Sequence, residues 1–239
     1  MKHLGIVTAL LSEARCFYQT PVLPGPQKIS ENISLIVSGI GQQAANTAAQ
    51  RLVAAGADCL LSAGIAGALS QELKAGDLLF PDSVSTDTGL QYHCDPGWHE
   101  NVVPEITNKL QKPFCGELLS TEKIISTKED KIEAGKYGAI AVDMESAAIL
   151  HVANEHQIPA LVIRTVIDPL AYSIPDFIVK NHDQYGEIDT VSLVRSALLR
   201  PVEMIKLLCL GTYYRAARRS LHDISDNLEL ILMQVNKHN

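Results

Sequence analysis

Ala139-Ile-Ala-Val-Asp-Met-Glu-Ser-Ala-Ala-Ile149 is an apolar, strand-like segment that ends in two carboxylates and opens directly into a helix. Strands followed at once by helices belong to α/β sheets, whose ligands bind beyond the carboxyl ends of the strands. Asp143 and Glu145 stand at such an end. Acids are also ordinary in the first turn of a helix, where they meet the positive end of its dipole. This stretch alone leaves both readings open.

A second stretch, Ala160-Leu-Val-Ile-Arg-Thr-Val-Ile-Asp168-Pro169, favours a site. It reads as a buried parallel strand with Arg164 in its middle and Asp168 at its end. A guanidinium in such a strand must be paired or must face a polar cavity, because an unpaired buried charge is strongly destabilising. Asp-Pro by itself can simply open a turn. The strand-end acids and the mid-strand arginine together indicate one site.

Outward from these segments, residues 3–9 read as a strand, 11–18 as a short helix and 27–37 as a hairpin around Glu31-Asn32. An alanine-rich helix spans 42–55 and ends at Gly56. Strands are predicted near 58–63, 77–85 and 115–120, with glycine-rich turns at Ser38-Gly-Ile-Gly41 and Ser62-Ala-Gly-Ile-Ala-Gly67. Residues 85–104 read as a polar loop, followed by a helix to about Gln111 and another near 128–135. A strand at 139–142, a helix to His156 and a strand at 160–167 come next. After Pro175 the chain turns helical, with a break at Pro201. The expected fold is α/β, a mixed, mostly parallel central sheet flanked by helices over residues 1–200, with a helical C-terminal extension over 201–239.

With 239 residues, 46% hydrophobic and 20% charged, the chain can bury a sizeable core and is not a disordered sequence. A net charge of −7 argues against nucleic acid as a partner. Cys16, Cys59, Cys94, Cys115 and Cys209 are scattered without a CxxC pair, which fits reduced thiols better than a disulfide framework. Met1-Lys2-His3-Leu4 leads straight into strand-like sequence, so no secretory signal is expected and a cytoplasmic location is. The longest apolar stretch, near 204–214, is interrupted by Lys206 and is too short to span a bilayer. Residues 204–219 join an apolar stripe to Arg215, Arg218 and Arg219. Such a helix either packs on its own domain or across a dimer, or makes peripheral contact with an anionic membrane surface or guides a lipid tail toward the site.

The two opening stretches, in this order and spacing, resemble the nucleoside phosphorylase superfamily, especially the methylthioadenosine/S-adenosylhomocysteine nucleosidases. Gly5-Ile-Val-Thr-Ala-Leu-Leu-Ser-Glu13 resembles the family's first strand and the glutamate after it. The two glycine-rich turns and Lys74-Ala-Gly-Asp-Leu78 fall in register with it. A closer likeness is to the hopanoid-biosynthesis-associated branch, which is thought to remove adenine from adenosylhopane. It rests on Ile167-Asp168-Pro169 where the nucleosidases have Ser-Asp, on Ile65 in the second glycine turn, and on the long Leu/Arg-rich tail.

The resemblance implies cleavage of the N-glycosidic bond of an adenine nucleoside, lipid-linked in the closer branch. The alternatives are a methylthioadenosine/S-adenosylhomocysteine nucleosidase or a general purine nucleoside phosphorylase. Such cleavage builds positive charge on the ribose and negative charge on the departing base, so it wants an acid on one side and a nucleophile on the other. By resemblance, Asp168 protonates the base and Glu13 activates a water. The apolar neighbours Val166 and Ile167 could keep Asp168 protonated by desolvation. Glu145 would hold the ribose hydroxyls and Met144 the sugar face, with Asp143, Ile124, Ile125 and Ile167 completing the substrate contacts. Arg164, Gly41, Gly64 and Ile65 would hold water or phosphate. Glu13 favours water as acceptor and Arg164 favours phosphate, while the serine that the family carries near Ile65 is absent. No metal or organic cofactor is implied, inorganic phosphate is a candidate co-substrate, and a homodimer is expected.

Two other readings compete. Gly39-Ile-Gly41-Gln-Gln-Ala44 fits the dinucleotide-binding fingerprint of an oxidoreductase, but Asp58 stands at the start of the next strand, where the ribose-binding acid should be at its end. His93, Cys94 and His99 lack the spacing of a zinc motif, and Pro96-Gly97 between them reads as a turn. Trp98 is expected to line a pocket or a dimer contact.

Overall fold

A computed structural model describes residues 2–18, 25–175, 178, 185 and 201–235. In chain order it contains β1 (Leu4–Thr8), α1 (Leu11–Phe17), β2 (Gln27–Ser30), β3 (Ile33–Val37), α2 (Gln42–Ala54) and β4 (Cys59–Ala68). Next come β5 (Leu78–Leu79), β6 (Ser83–Thr86), β7 (Gln91–His93), α3 (Pro96–Lys109), β8 (Glu117–Ser120) and α4 (Lys128–Ala134). The remainder is β9 (Ala141–Asp143), α5 (Ser146–Glu155), β10 (Ala160–Asp168), α6 (Pro201–Ser225) and α7 (Leu228–Val235). The boundary expected at residue 200 and most of the helical stretch expected after Pro175 lie outside the described residues.

The sheet runs β2-β3-β1-β4-β9-β8-β6-β7, with β10 beside β4 and β5. β1 pairs in parallel with β3 and β4, β10 with β4, and β8 with β6 and β9. The pairs β2·β3, β6·β7, β4·β9 and β5·β10 are antiparallel. The sheet is therefore mixed and mostly parallel, as expected. β4 and β10 are apolar almost throughout because both faces of the sheet are covered. One core cluster holds Leu52, Leu60 and Val162 with Ala45 and Ala48 of α2 and Ile149 and Val152 of α5. The other holds Leu4, Ile6 and Leu161 with Trp98 of α3, Leu221 and Ile224 of α6, and Leu228 and Ile231 of α7. The C-terminal helices thus share the core of the sheet's second face.

Four sequence expectations change. Ser62 to Gly67 is not a turn: β4 continues through it to Ala68, and β10 pairs with it as far as Gly67. The strand expected over 77–85 is two short strands, and the loop expected over 85–104 contains β7 and most of α3. Pro104 sits inside α3, whose start is fixed by Asp95 accepting a hydrogen bond from the Trp98 N–H at 2.7 Å with Pro96 next to it. Trp98 does not line the cavity at the strand ends; it is fully buried, and its Nε1 donates to the Ile231 carbonyl at 2.8 Å. Asp58 precedes β4 and accepts from the His3 N–H on the surface, away from the α2 start, which removes the dinucleotide reading. His93 is exposed and Cys94 buried, while His99 Nε2 meets the Phe80 carbonyl at 2.8 Å.

Candidate active site

The carboxyl ends of β1, β4, β9 and β10 border one cavity of about 800 Å³. Glu13, Asp143, Glu145 and Asp168 all line it, and none is more than 7% exposed. Four carboxylates in so little water cannot all be ionised without partners. Each has a different one.

Asp143 is held by Arg164. Its Oδ2 accepts from Arg164 Nε at 2.8 Å and lies 2.6 Å from Nη2, and it also accepts from the Ser146 hydroxyl. Nη2 donates onward to Ser62 and Ser146, at 2.8 and 2.9 Å. Burial works against the cation, but the carboxylates of Asp143, Glu145 and Glu13 outweigh it and leave the guanidinium pKa above its ordinary value. The strand-buried arginine is therefore paired, as its position requires. Arg164 is not among the residues that line the cavity; it braces Asp143 from behind.

Glu13 lies in the first turn of α1. Its Oε2 accepts from the N–H groups of Ala9 and Leu10, and its Oε1 from that of Ile65, all at 2.9 Å. Burial pushes its carboxyl up, against Arg164 and these N–H groups, which hold it down. Gly64 makes this corner possible. A Cβ there would lie 2.6 Å from Glu13 Oε1 and would also strike the Arg164 guanidinium. Ile65 lines the cavity through the adjacent position, whereas Gly64 and Gly41 stand outside the lining.

Glu145 is the residue before α5, and its Oε1 accepts from the Gly41 N–H at 2.9 Å. Burial first, then the Asp143 charge beside it, raise its pKa to about 7, against Arg164 and the Gly41 N–H. Met144, Ile124, Ile125 and Ile167 line the same cavity.

Asp168 owes its place to a β-bulge. The register of β10 on β4 shifts between Val166 and Asp168, so Asp168 pairs with Gly67 and Ile167 is the extra residue. Alternation would otherwise have put Asp168 on the sheet face of Arg164 and Val166; the shift moves it to the other face. Ile167 and Asp168, consecutive in sequence, both line the cavity as a result. Burial raises the Asp168 pKa to about 6, held back by Lys131.

Lys131 is the residue that sequence reading missed. It is fully buried on α4, and its Nζ donates to Asp168 Oδ2, to the Pro169 carbonyl at 3.1 Å and to the Tyr172 carbonyl at 2.8 Å. All three ammonium protons are thus used. The run Lys128-Glu-Asp-Lys-Ile-Glu133 looks like a solvated helix face, and only the docking of α4 over the end of β10 sequesters its second lysine. The cavity also has an apolar wall, on the side where the sequence allowed the tail to guide a lipid chain toward the site. Leu207, Leu210, Gly211 and Tyr214 of α6 contribute it, at the i, i+3, i+4, i+7 spacing of one helix face, together with Ile174.

Residues 27–189 match the Phosphorylase superfamily. A DeoD-type purine nucleoside phosphorylase from Streptococcus thermophilus is 30% identical over 183 residues, covering 69% of this chain and 83% of the relative. The chain belongs to the phosphorylase superfamily and is an enzyme of that class. The fold is shared with a 5'-methylthioadenosine/S-adenosylhomocysteine nucleosidase from Helicobacter pylori, at 17% identity and TM-score 0.70 over 98% of this chain and 99% of that one. An S-adenosylhomocysteine nucleosidase from Streptococcus pyogenes superposes with TM-score 0.62 at 20% identity, over 72% of this chain and 85% of its own. Asp143, Glu145, Arg164 and Asp168 fall inside the matched residues, and Glu13 precedes them.

Proposed function

We propose that this enzyme hydrolyses the N-glycosidic bond of an adenine nucleoside whose 5′ carbon carries an apolar, lipid-linked substituent. Adenosylhopane, in hopanoid biosynthesis, is the substrate the sequence likeness suggests. One observation carries the reading: Glu145 and Asp168, buried acids from two different strand ends, line one cavity. Asp168 gives its proton to the adenine as the bond to C1′ breaks and its electrons pass to the base. Glu145 accepts hydrogen bonds from the ribose hydroxyls and sets its charge against the developing ring cation. Glu13 takes a proton from the water that attacks C1′.

Water is favoured over phosphate as acceptor by the pairing of Arg164. Its cation is already matched by Asp143, and Glu13 fills the corner beside Gly64 that an anion would need. Phosphorolysis is the second reading, favoured by the likeness to a purine nucleoside phosphorylase. A 5′-methylthioadenosine or S-adenosylhomocysteine substrate is the alternative within hydrolysis.

The apolar substituent is supported by the aliphatic wall from Ile124, Ile125, Ile174 and α6. On this reading residues 1–200 form the catalytic α/β domain and 201–239 the extension that completes its substrate side. Ile205 and Leu208, exposed on the outer side of α6, would meet the surface of the membrane that supplies a lipid-linked nucleoside to a cytoplasmic homodimer. No helix among the described residues is long and apolar enough to cross a membrane. Adenine release from a panel of 5′-modified adenosines, with and without phosphate, tests the function. Release that needs no phosphate supports hydrolysis; strict phosphate dependence shifts the assignment to phosphorolysis, and no release from any adenosine refutes both.

A further inference from the structure

Among the described residues nothing in the packing requires glycine at position 211. It lies in the interior of α6, where glycine is the least favourable residue after proline. Its backbone is helical, a conformation open to any L-residue. Among the described residues no neighbour presses on it either, because a Cβ built there meets none of their atoms within 4 Å beyond the helix's own backbone. The contrast along the same helix is Ala216, whose Cβ lies 3.1 Å from where a Cβ on Gly76 would stand, so that contact does need small groups. Gly211 instead lines the cavity, between Leu207 and Leu210 on one side and Tyr214 on the other. The side chain it lacks is room inside the cavity.

That room has an assignable use. If the base faces Asp168 and the sugar is held by Glu145, the α6 wall is left to whatever extends from the 5′ carbon. At about 800 Å³ the cavity is near the upper end of small-molecule pockets, which run to roughly 1,000 Å³. We propose that Gly211 is the specificity-determining position that sets how long an apolar 5′ substituent the enzyme accepts. The inference rests on the glycosidic-cleavage reading above and adds to it the residue that measures the substituent.

The test compares kcat/KM for adenine release from 5′-alkylthioadenosines, from methylthio to octylthio, for the full chain and its Gly211→Leu and Gly211→Ala variants. Thr212→Leu, next in sequence, exposed and outside the cavity lining, is the control. A single methylene too many in an apolar pocket changes kcat/KM by about 10-fold or more. The octylthio-to-methylthio ratio should therefore fall at least about tenfold in Gly211→Leu, by less in Gly211→Ala, and not in Thr212→Leu. Both Gly211 variants should melt no lower than the parent, since alanine and leucine are both better helix formers than glycine. An unchanged ratio in Gly211→Leu, or an equal change in Thr212→Leu, overturns the role of Gly211 while leaving the reaction in place. Absence of adenine release from every alkylthioadenosine by the parent enzyme overturns the reaction and the inference together.

Discussion

Arg164 and Asp143 are joined through a single carboxylate oxygen, Oδ2, which lies 2.8 Å from Nε and 2.6 Å from Nη2 of the guanidinium. An arginine free to bind phosphate would present its fork to the cavity. This one spends it on an acid of β9 and on the hydroxyls of Ser62 and Ser146. Removing one partner of a buried pair leaves an uncompensated charge, at a cost of about 3–5 kcal/mol. Arg164→Met should accordingly lower Tm by several degrees even though Arg164 does not line the cavity, and adding phosphate should not restore stability. Thermal unfolding with and without phosphate checks this; a phosphate-dependent rise in the parent Tm that vanishes in the variant would speak for an anion site.

Asp168→Asn and Glu145→Gln should each reduce kcat/KM by about 10²–10⁴-fold, the usual worth of a positioned acid or of charge set against a transition state. The Glu145 amide fits the space of the acid it replaces, so Tm should fall little there; Asp168→Asn leaves the buried Lys131 ammonium without its anion and should lower Tm as well. Circular dichroism melts alongside turnover separate lost chemistry from lost fold.

Lys131 gives a pH prediction with a definite sign. Asp168, with a pKa of about 6, must hold a proton to act as acid, so kcat/KM falls as pH rises past that value. The Lys131 ammonium favours the ionised form. Lys131→Met removes that influence, raises the Asp168 pKa and moves the alkaline limb of the profile to higher pH. A variant that folds and keeps the limb where it was would show that Lys131 serves packing alone.

Glu145 couples stability to pH. Its folded-state pKa of about 7 exceeds the ordinary 4.5, so the folded chain prefers the neutral carboxyl. Stability from this group is complete below pH 4.5 and is lost as pH rises through 7. Glu145→Gln keeps a neutral group at every pH. The variant's Tm should gain on the parent's between pH 5 and 8, and a gap independent of pH would contradict the account.

Gly64→Ala should be among the most damaging small changes in the chain. The added methyl would crowd Glu13 and Arg164 together, and overpacking of this kind costs about 1–3 kcal/mol. For a chain of this length that is a fall of roughly 2–4 °C in Tm per kcal/mol, with a loss of activity because Glu13 must move.

Much of this was legible in the sequence, and the gaps have physical causes. The strand-end acids were readable because a carboxylate that closes an apolar run must find a partner or a ligand there. The helix after 42 was readable because alanines recur until Gly56. Gly64 and Gly67 read as a turn because glycine usually marks one; here β4 needs them for close approach of Arg164, Glu13 and Asp168. The 85–104 stretch read as a loop because of its polarity and Pro104, although Asp95-Pro96 already carried a helix-start signal. Lys131 and the bulge at Ile167 were out of reach: both depend on where α4 and β4 lie in space, and no local pattern encodes that.

The most direct test of the whole arrangement is a crystal structure with a non-hydrolysable adenine nucleoside analogue bound. The account predicts the adenine imidazole edge within hydrogen-bonding distance of Asp168, the ribose 2′- and 3′-hydroxyls on Glu145, and the 5′ carbon directed at the α6 wall. A ligand whose base and sugar are reversed between these two acids, or that occupies the cavity touching neither, would contradict it.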